Sequence, residues 1–187
     1  MSQFEIIQTP LAELFVLKRT VSDDSRGFFE RLFCQDTLSN LLNKESIRQI
    51  NHTVTKKMGT VRGLHYQNHP YSEIKIVSCT KGRVFDVVVD IRKDSPTFLK
   101  HYAIELSGDN FLSLLIPKGF AHGFQTLEDD CEMIYFHTVD YNPDAESGLN
   151  ACDPNLSIPW PKEILERSDK DERYPALEHD FEGVYIL

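Results

Sequence analysis

Between Ile47 and Thr138 the chain is a succession of short apolar, alternating or β-branched runs, with turn residues about every ten positions. The runs are Ile47–Val54, Thr60–Tyr66, Glu73–Cys79, Arg83–Ile91, Lys100–Leu106, Phe111–Ile116, Gly119–Thr126 and Cys131–Thr138. Lys81-Gly82, Asp94-Ser95-Pro96, Ser107-Gly108-Asp109-Asn110, Pro117-Lys118-Gly119 and Asp129-Asp130 supply turn chemistry between them. Strands this short and this evenly spaced leave no room for crossover helices. The pattern therefore excludes a βαβ fold and predicts a mainly β protein, a sandwich or a jelly-roll barrel, with a few short helices; a barrel of this kind would be a cupin-like double-stranded β-helix.

The flanks are less regular. Phe4 to Ile7 and Leu14 to Leu17, interrupted by Pro10, read as N-terminal strands; Ser22 to Gly27 reads as a loop and Phe28 to Phe33 as a resumed strand. The best helix candidate runs from Asp36, a plausible N-cap, to Ser46, with Leu38, Leu41 and Leu42 on one face. Beyond Tyr141 the chain is loop-rich, with Pro143, Pro154, Pro159 and Pro161, a short helical or turn segment over Lys162–Arg167, and a charged tail. With no internal repeat and no obvious linker, residues 1–187 are expected to form one domain, long enough to bury a real core, with a loop- and helix-rich C-terminal segment from about 142.

The formal net charge of −9 argues against a general nucleic-acid binder, which needs a basic face. An anionic ligand would have to be held by a few local cations. Cys34, Cys79, Cys131 and Cys152 lie far apart with no CxxC pair and no secretory signal, so reduced thiols, mostly in the core, and a cytoplasmic location are expected. No apolar run approaches the length of a membrane span, so no membrane association is expected.

The stretch richest in chemistry is Val61-Arg62-Gly63-Leu64-His65-Tyr66-Gln67. Arg62 offers a planar fork suited to phosphate, and His65 a proton-transfer group that works near neutral pH. In a cupin-like barrel the first question is metal. Pro117-x-Gly119-x-x-His122 fits the second metal motif, but the first retains His65 with Gln67 where another imidazole is wanted, and Glu73 lies too far along. Metal sites want three or four protein ligands, so none is expected here.

Further motifs run in order along the chain: Asp24-Ser25-Arg26-Gly27-Phe28-Phe29-Glu30, Gln49-x-Asn51, Arg62 to Gln67, Phe85 to Arg92, Ser95-Pro96-Thr97-Phe98, Ile116 to Phe124, Tyr135 with Tyr141, and Ser168-x-Lys170-Asp171. Together, from about residue 5 to the C-terminus, they resemble the dTDP-4-dehydrorhamnose 3,5-epimerases, cupin-type enzymes of sugar-nucleotide metabolism. The resemblance implies an enzyme with no metal and no other cofactor. Its substrate would be a nucleoside-diphosphate 4-keto-6-deoxyhexose, inverted at C3 and C5. It further implies His65 as base, Asp171 as the carboxylate that orients it, Tyr135 as acid on the opposite face of the sugar, and Lys75 beside the C4 oxygen. Arg26 and Arg62 would clamp the diphosphate, Phe28 and Glu30 would frame the nucleotide, and Gln49 and Asn51 would bond sugar or phosphate groups. Tyr141 would line the pocket, and His122 would stand behind it, paired with Asp86. The N-terminal strands and the loop before Phe28 would join an intersubunit sheet in a homodimer, with Arg26 reaching the neighbouring site.

The chain also departs from the family's commoner wording: Asp140 precedes Tyr141 where a second aromatic is frequent, Gln125-Thr126-Leu127 follows the His-Gly-Phe stretch, and Lys118 sits in the Pro-x-Gly turn. Three alternatives stand beside the 3,5-epimerase. They are a monoepimerase or ketoisomerase on a related CDP-, GDP- or dTDP-linked 4-keto sugar, a metal-dependent cupin enzyme, and a non-catalytic sugar-nucleotide binding barrel.

Overall fold

The computed structural model describes residues 4–178 and 180–186. Its elements are β1 (Phe4–Gln8), β2 (Phe15–Arg19), β3 (Val21–Asp24), β4 (Gly27–Glu30), α1 (Gln35–Leu38), β5 (Gln49–Thr55), β6 (Val61–Gln67), β7 (Lys75–Lys81), β8 (Arg83–Asp90), β9 (His101–Ser107), β10 (Leu112–Ile116), β11 (Phe120–Thr126), β12 (Cys131–His137), β13 (Glu146–Gly148) and α2 (Asp169–Glu172). Each of the eight runs expected from the sequence is a strand, displaced by a residue or two at its ends.

Strands β1-β2-β10-β7-β12-β5 form one sheet and β13-β6-β11-β8-β9 a second, while β3 and β4 make a separate hairpin. All the strand pairings are antiparallel. The two sheets face each other across a shared core. Val16, Val77, Cys79, Leu114, Ile116 and Met133 come from the first, and Val84, Val88, Leu106, Phe120 and Phe124 from the second. Side chains alternate across a strand, so the residues between these point outward and need covers of their own. Leu17, Ile76, Leu115 and Phe136 are covered by Phe4, Leu38 and Leu42, and Val61, Val89 and Ala121 by Leu149, Ala151 and Leu156 from the C-terminal segment. Burial on both faces explains why Val87-Val88-Val89 reads as a continuous apolar run rather than an alternating one.

Three local expectations are corrected. The Asp36–Ser46 helix shrinks to the single turn of α1. Asp36 lies inside that turn, Cys34 occupies the N-cap without a side-chain bond, and Asn43 and Lys44 at φ 50° and 65° end any helical path. The apolar face was read correctly: Leu38 and Leu42 are fully buried on the sheet, and this packing, not helix propensity, decides the backbone. The strand over Phe28–Phe33 stops at Glu30, because Leu32 and Phe33 turn inward to pack on the outer face of the six-stranded sheet. The turn before Phe28 belongs to the β3–β4 hairpin. Finally, residues 162–167 are not helical. Leu165 N–H donates to Gly59 O and Val61 N–H to Glu166 O, so this stretch lies alongside the start of β6, and the short helix comes later, at α2.

Cys79 and Cys131 are core thiols, but Cys34 is only half-buried and Cys152 is exposed, which corrects the expectation of a mostly buried set. Among the described residues no helix is long and apolar enough to cross a membrane.

One irregularity shapes the site. Along β6 and β11 the register moves from His65↔His122 to Arg62↔Phe124, so Gly63 and Leu64 together oppose Gly123. This bulge lets Arg62 and His65, three residues apart and hence of opposite parity, face the same side. A Cβ on Gly63 would stand 2.6 Å from Gly123 Cα and 2.7 Å from His122 O, at φ +116°. Gly63→Ala is therefore expected to destabilise the protein by about 1–3 kcal/mol, the usual cost of overpacking, seen as a lower urea midpoint; an unchanged midpoint would contradict the close approach.

Candidate active site

The barrel's apolar core fills one end and leaves the other open. There, between the two sheets, lies a cavity of about 430 Å³. Its walls follow from strand parity. On β12, Met133 points into the core, and Tyr135 and His137 continue that face toward the opening; on β7 the same holds for Cys79, Val77 and Lys75. Strand β5 contributes Gln49, Asn51 and Thr53, β6 contributes Arg62, His65 and Gln67, and β11 contributes His122.

His65 and Asp171 form a close contact, with Nε2 2.6 Å from Oδ1. The imidazole is 35% exposed to the cavity and the carboxylate only 3%. Asp171 arrives on α2, whose N-cap is Ser168: its Oγ accepts from Asp171 N–H at 3.1 Å. The other oxygen, Oδ2, accepts from Gly63 N–H at 3.2 Å. Burial alone would raise the Asp171 carboxyl, but the bond and charge of His65, with the Gly63 N–H, hold it below the usual carboxylate range.

Tyr135 projects from the facing sheet. Its hydroxyl lies 3.5 Å from Thr53 Oγ1, and burial pushes the phenol well above its ordinary value, so it stays protonated at neutral pH. His122 sits beneath, 5% exposed, with Nε2 2.9 Å from Asp86 Oδ2; burial pulls this imidazole down in spite of the carboxylate. Its ring meets Tyr135 edge-on at 6.3 Å between centroids. Lys75, a strand residue whose parity alone could also have faced solvent, is buried, 3.6 Å from Glu73.

At the rim, Arg62 is an exposed residue whose Nε donates to Thr55 Oγ1 at 2.9 Å. Gln49 bonds Asn51 Oδ1 at 3.0 Å and accepts from Tyr141 N–H. The Tyr141 hydroxyl donates to Glu146 at 2.6 Å, and Glu146 pairs with Lys170.

The structure thus brings His65, Tyr135, Asp171, Lys75, Gln49, Asn51, Arg62, His122 and Tyr141 around one cavity. It does not bring Arg26, Phe28 or Glu30 there. Arg26 is exposed on the β3–β4 turn and paired with Asp24 at 2.5 Å; Phe28 is 58% exposed with its ring against Phe111; Glu30 is tied to buried Arg19. A single chain keeps these three on a hairpin outside the cavity. His137, Glu146 and Arg167 line the cavity without having been singled out, as does Glu73, considered above only as a metal ligand. For His137 the signal was present in the spacing, two residues from Tyr135 on the same strand.

Among the described residues no group of three or more His, Cys, Asp and Glu could hold a metal ion. The side chains at the cupin ligand positions are otherwise engaged: His65 by Asp171, His122 by Asp86, and Gln67 by Tyr71 O and Asn142 N–H.

A family model described as dTDP-4-dehydrorhamnose 3,5-epimerase matches residues 8–179. The chain is similar to the dTDP-4-dehydrorhamnose 3,5-epimerase of Shigella flexneri, 41% identical over 167 residues covering 89% of this chain and 92% of that one. Among solved structures it is similar to dTDP-6-deoxy-D-glucose-3,5-epimerase from Legionella pneumophila in complex with dTDP-4-keto-L-rhamnose. The TM-score is 0.90, the identity 36%, and the match covers 98% of this chain and 100% of that one. It is also similar to a 3'-monoepimerase from Streptomyces bikiniensis in complex with dTDP-quinovose, with TM-score 0.85, identity 28%, and 91% and 86% covered.

The state of Asp171 fixes a pH dependence. Its folded-state value lies below the unfolded one, about 3.9, so its contribution is complete above that pH and is lost as pH falls through the depressed folded value. Asp171→Asn is expected to lower the urea midpoint at pH 5, with the gap to wild type closing as pH drops below about 4. A gap that stays constant down to pH 2.5 would contradict the assignment.

Proposed function

The chain belongs to the dTDP-4-dehydrorhamnose 3,5-epimerase family, and on that footing we propose that it inverts C3 and C5 of dTDP-4-dehydro-6-deoxyglucose to give dTDP-4-dehydro-L-rhamnose. The observation that carries this is the opposition of His65 and Tyr135, projecting into one cavity from facing sheets. Inverting a carbon beside a ketone requires a base on one face of the ring, an acid on the other, and stabilisation of the enolate between them.

His65 takes the proton from the carbon, and the C–H electron pair passes into the enolate at C4. Asp171 stabilises the imidazolium that forms and fixes the ring, as a buried carboxylate does beside other catalytic imidazoles. Lys75 faces the developing oxyanion. Tyr135 delivers its hydroxyl proton to the opposite face, and exchange with solvent resets both groups. The raised phenol suits this role, because it carries a proton at the pH where His65 must lack one. His122, bonded to Asp86, backs Tyr135 as a neutral imidazole.

Arg62, with Gln49 and Asn51, binds the diphosphate side at the cavity mouth. Arg26, Phe28 and Glu30 complete the nucleotide side from a second copy, as a homodimer in which the β3–β4 hairpin of each chain reaches the other's cavity. The exposed Phe28 and Phe29, and Ile6 and Ile7 on edge strand β1, support an intersubunit role for this end of the molecule.

Incubation of the wild type with dTDP-4-keto-6-deoxyglucose in D2O tests the assignment. Deuterium is expected at both C3 and C5, counted by mass spectrometry and located by NMR. One deuteron would make the protein a monoepimerase, and none would reject this substrate. His65→Ala is expected to cut the exchange rate at least about 100-fold, the usual share of a general base, while dTDP still binds; full exchange in that variant would remove His65 from the role. Light scattering is expected to report two copies in the active form, and full activity in a monomer would overturn the shared site.

A further inference from the structure

Three largely buried ionisable side chains cluster on one wall of the cavity, and the chemistry above uses only one of them. Lys75, Glu73 and His137 have side chains 8%, 10% and 14% exposed. Strand register brings them together: His137 on β12 lies directly across from Lys75 on β7, and Glu73 precedes Lys75 by two residues. Glu73 Oε2 is 2.8 Å from His137 Nδ1, Glu73 Oε1 is 3.6 Å from Lys75 Nζ, and Gln67 Nε2 approaches Oε2 at 3.5 Å. The His137 ring also lies nearly parallel to Tyr135, at 6.1 Å and 17°, and its Nε2 is 3.5 Å from Asn51 Nδ2. One imidazole therefore connects the candidate acid, the polar rim and the carboxylate beside Lys75.

A buried ammonium is costly without a partner of opposite charge close by. A buried carboxylate is equally costly unless it is itself bonded. Here burial would raise Glu73, but the Lys75 charge and the His137 bond outweigh it and hold the carboxyl below its usual range. The cluster is thus a mutually satisfied set whose only member with chemistry to perform is the ammonium.

We propose that Glu73 is a positioning residue: clamped by His137, it holds the Lys75 ammonium directed to where enolate charge develops. This rests on the epimerase reading given above, in which Lys75 faces the C4 oxygen. The isosteric change Glu73→Gln removes the charge and keeps the shape. It is expected to lower kcat for exchange about tenfold or more with KM within about twofold, the pattern of an interaction made only in the transition state. Glu73→Asp is expected to recover part of the loss. His137→Asn, whose amide can still donate to Glu73, is expected to lose less than His137→Leu. The decisive readout is a double-mutant cycle. On a Lys75→Ala background, followed by single-turnover exchange, Glu73→Gln is expected to add no further loss. Calorimetric binding of dTDP to each variant verifies that the site still folds. Wild-type kcat in Glu73→Gln, or the same full loss repeated on the Lys75→Ala background, would overturn the proposal. A wild type that exchanges no deuterium at all would instead remove the epimerase reading on which it rests.

Discussion

The carboxylate of Asp171 adds a buried polar link between the C-terminal segment and β6, beside the backbone hydrogen bonds that already join them. One oxygen meets the His65 imidazole and the other accepts the Gly63 N–H, so the C-terminal segment is fastened to β6 at its bulge. The bulge turns Arg62 and His65 to the same side, and the carboxylate satisfies the backbone donor that the bulge frees from the strand ladder. Ser168 caps α2 and presents Asp171 at the required angle. A buried carboxylate needs partners of this quality, and in return it fixes a ring that must be oriented to accept a proton.

From that pair outward, the site depends on the barrel's two-sheet construction. Opposed side chains are difficult to obtain from one surface, but two facing sheets supply them directly: the proposed base, His65, on one and the proposed acid, Tyr135, on the other. The cavity also carries cations, interspersed with Glu73, Glu146, Glu166 and Asp171. A chain of net charge −9 lines its cavity with Arg62, Lys75 and Arg167. A few guanidinium and ammonium groups within low-dielectric walls attract a diphosphate whatever the overall charge.

The strands could be read from the chain because the period of two is imposed locally by side-chain alternation, and turn residues mark where each run stops. Regions set by tertiary packing escaped. Asp36 to Ser46 carries a helical pattern of leucines, yet burying Leu38 and Leu42 on the sheet takes precedence over regular hydrogen bonding. Residues 162–167 have no strand pattern of their own and extend only because Gly59 and Val61 offer backbone partners. Within the site, the resemblance drew attention to residues with assigned roles and passed over Glu73 and His137, although Lys75 and Tyr135 point to them by parity. Arg26, Phe28 and Glu30 mark a different limit, since in one chain their partners are Asp24, Phe111 and Arg19.

In the proposed cycle protons leave toward one sheet and arrive from the other. Tyr135→Phe separates the two halves of that cycle, because it removes the arriving proton and leaves His65 and Asp171 untouched. In D2O the account expects recovered substrate to carry deuterium with its original configuration, returned from the His65 side, while inversion falls about 100-fold or more, the usual share of a general acid. Inversion at the wild-type rate, or exchange lost in step with inversion, would contradict the opposed pair.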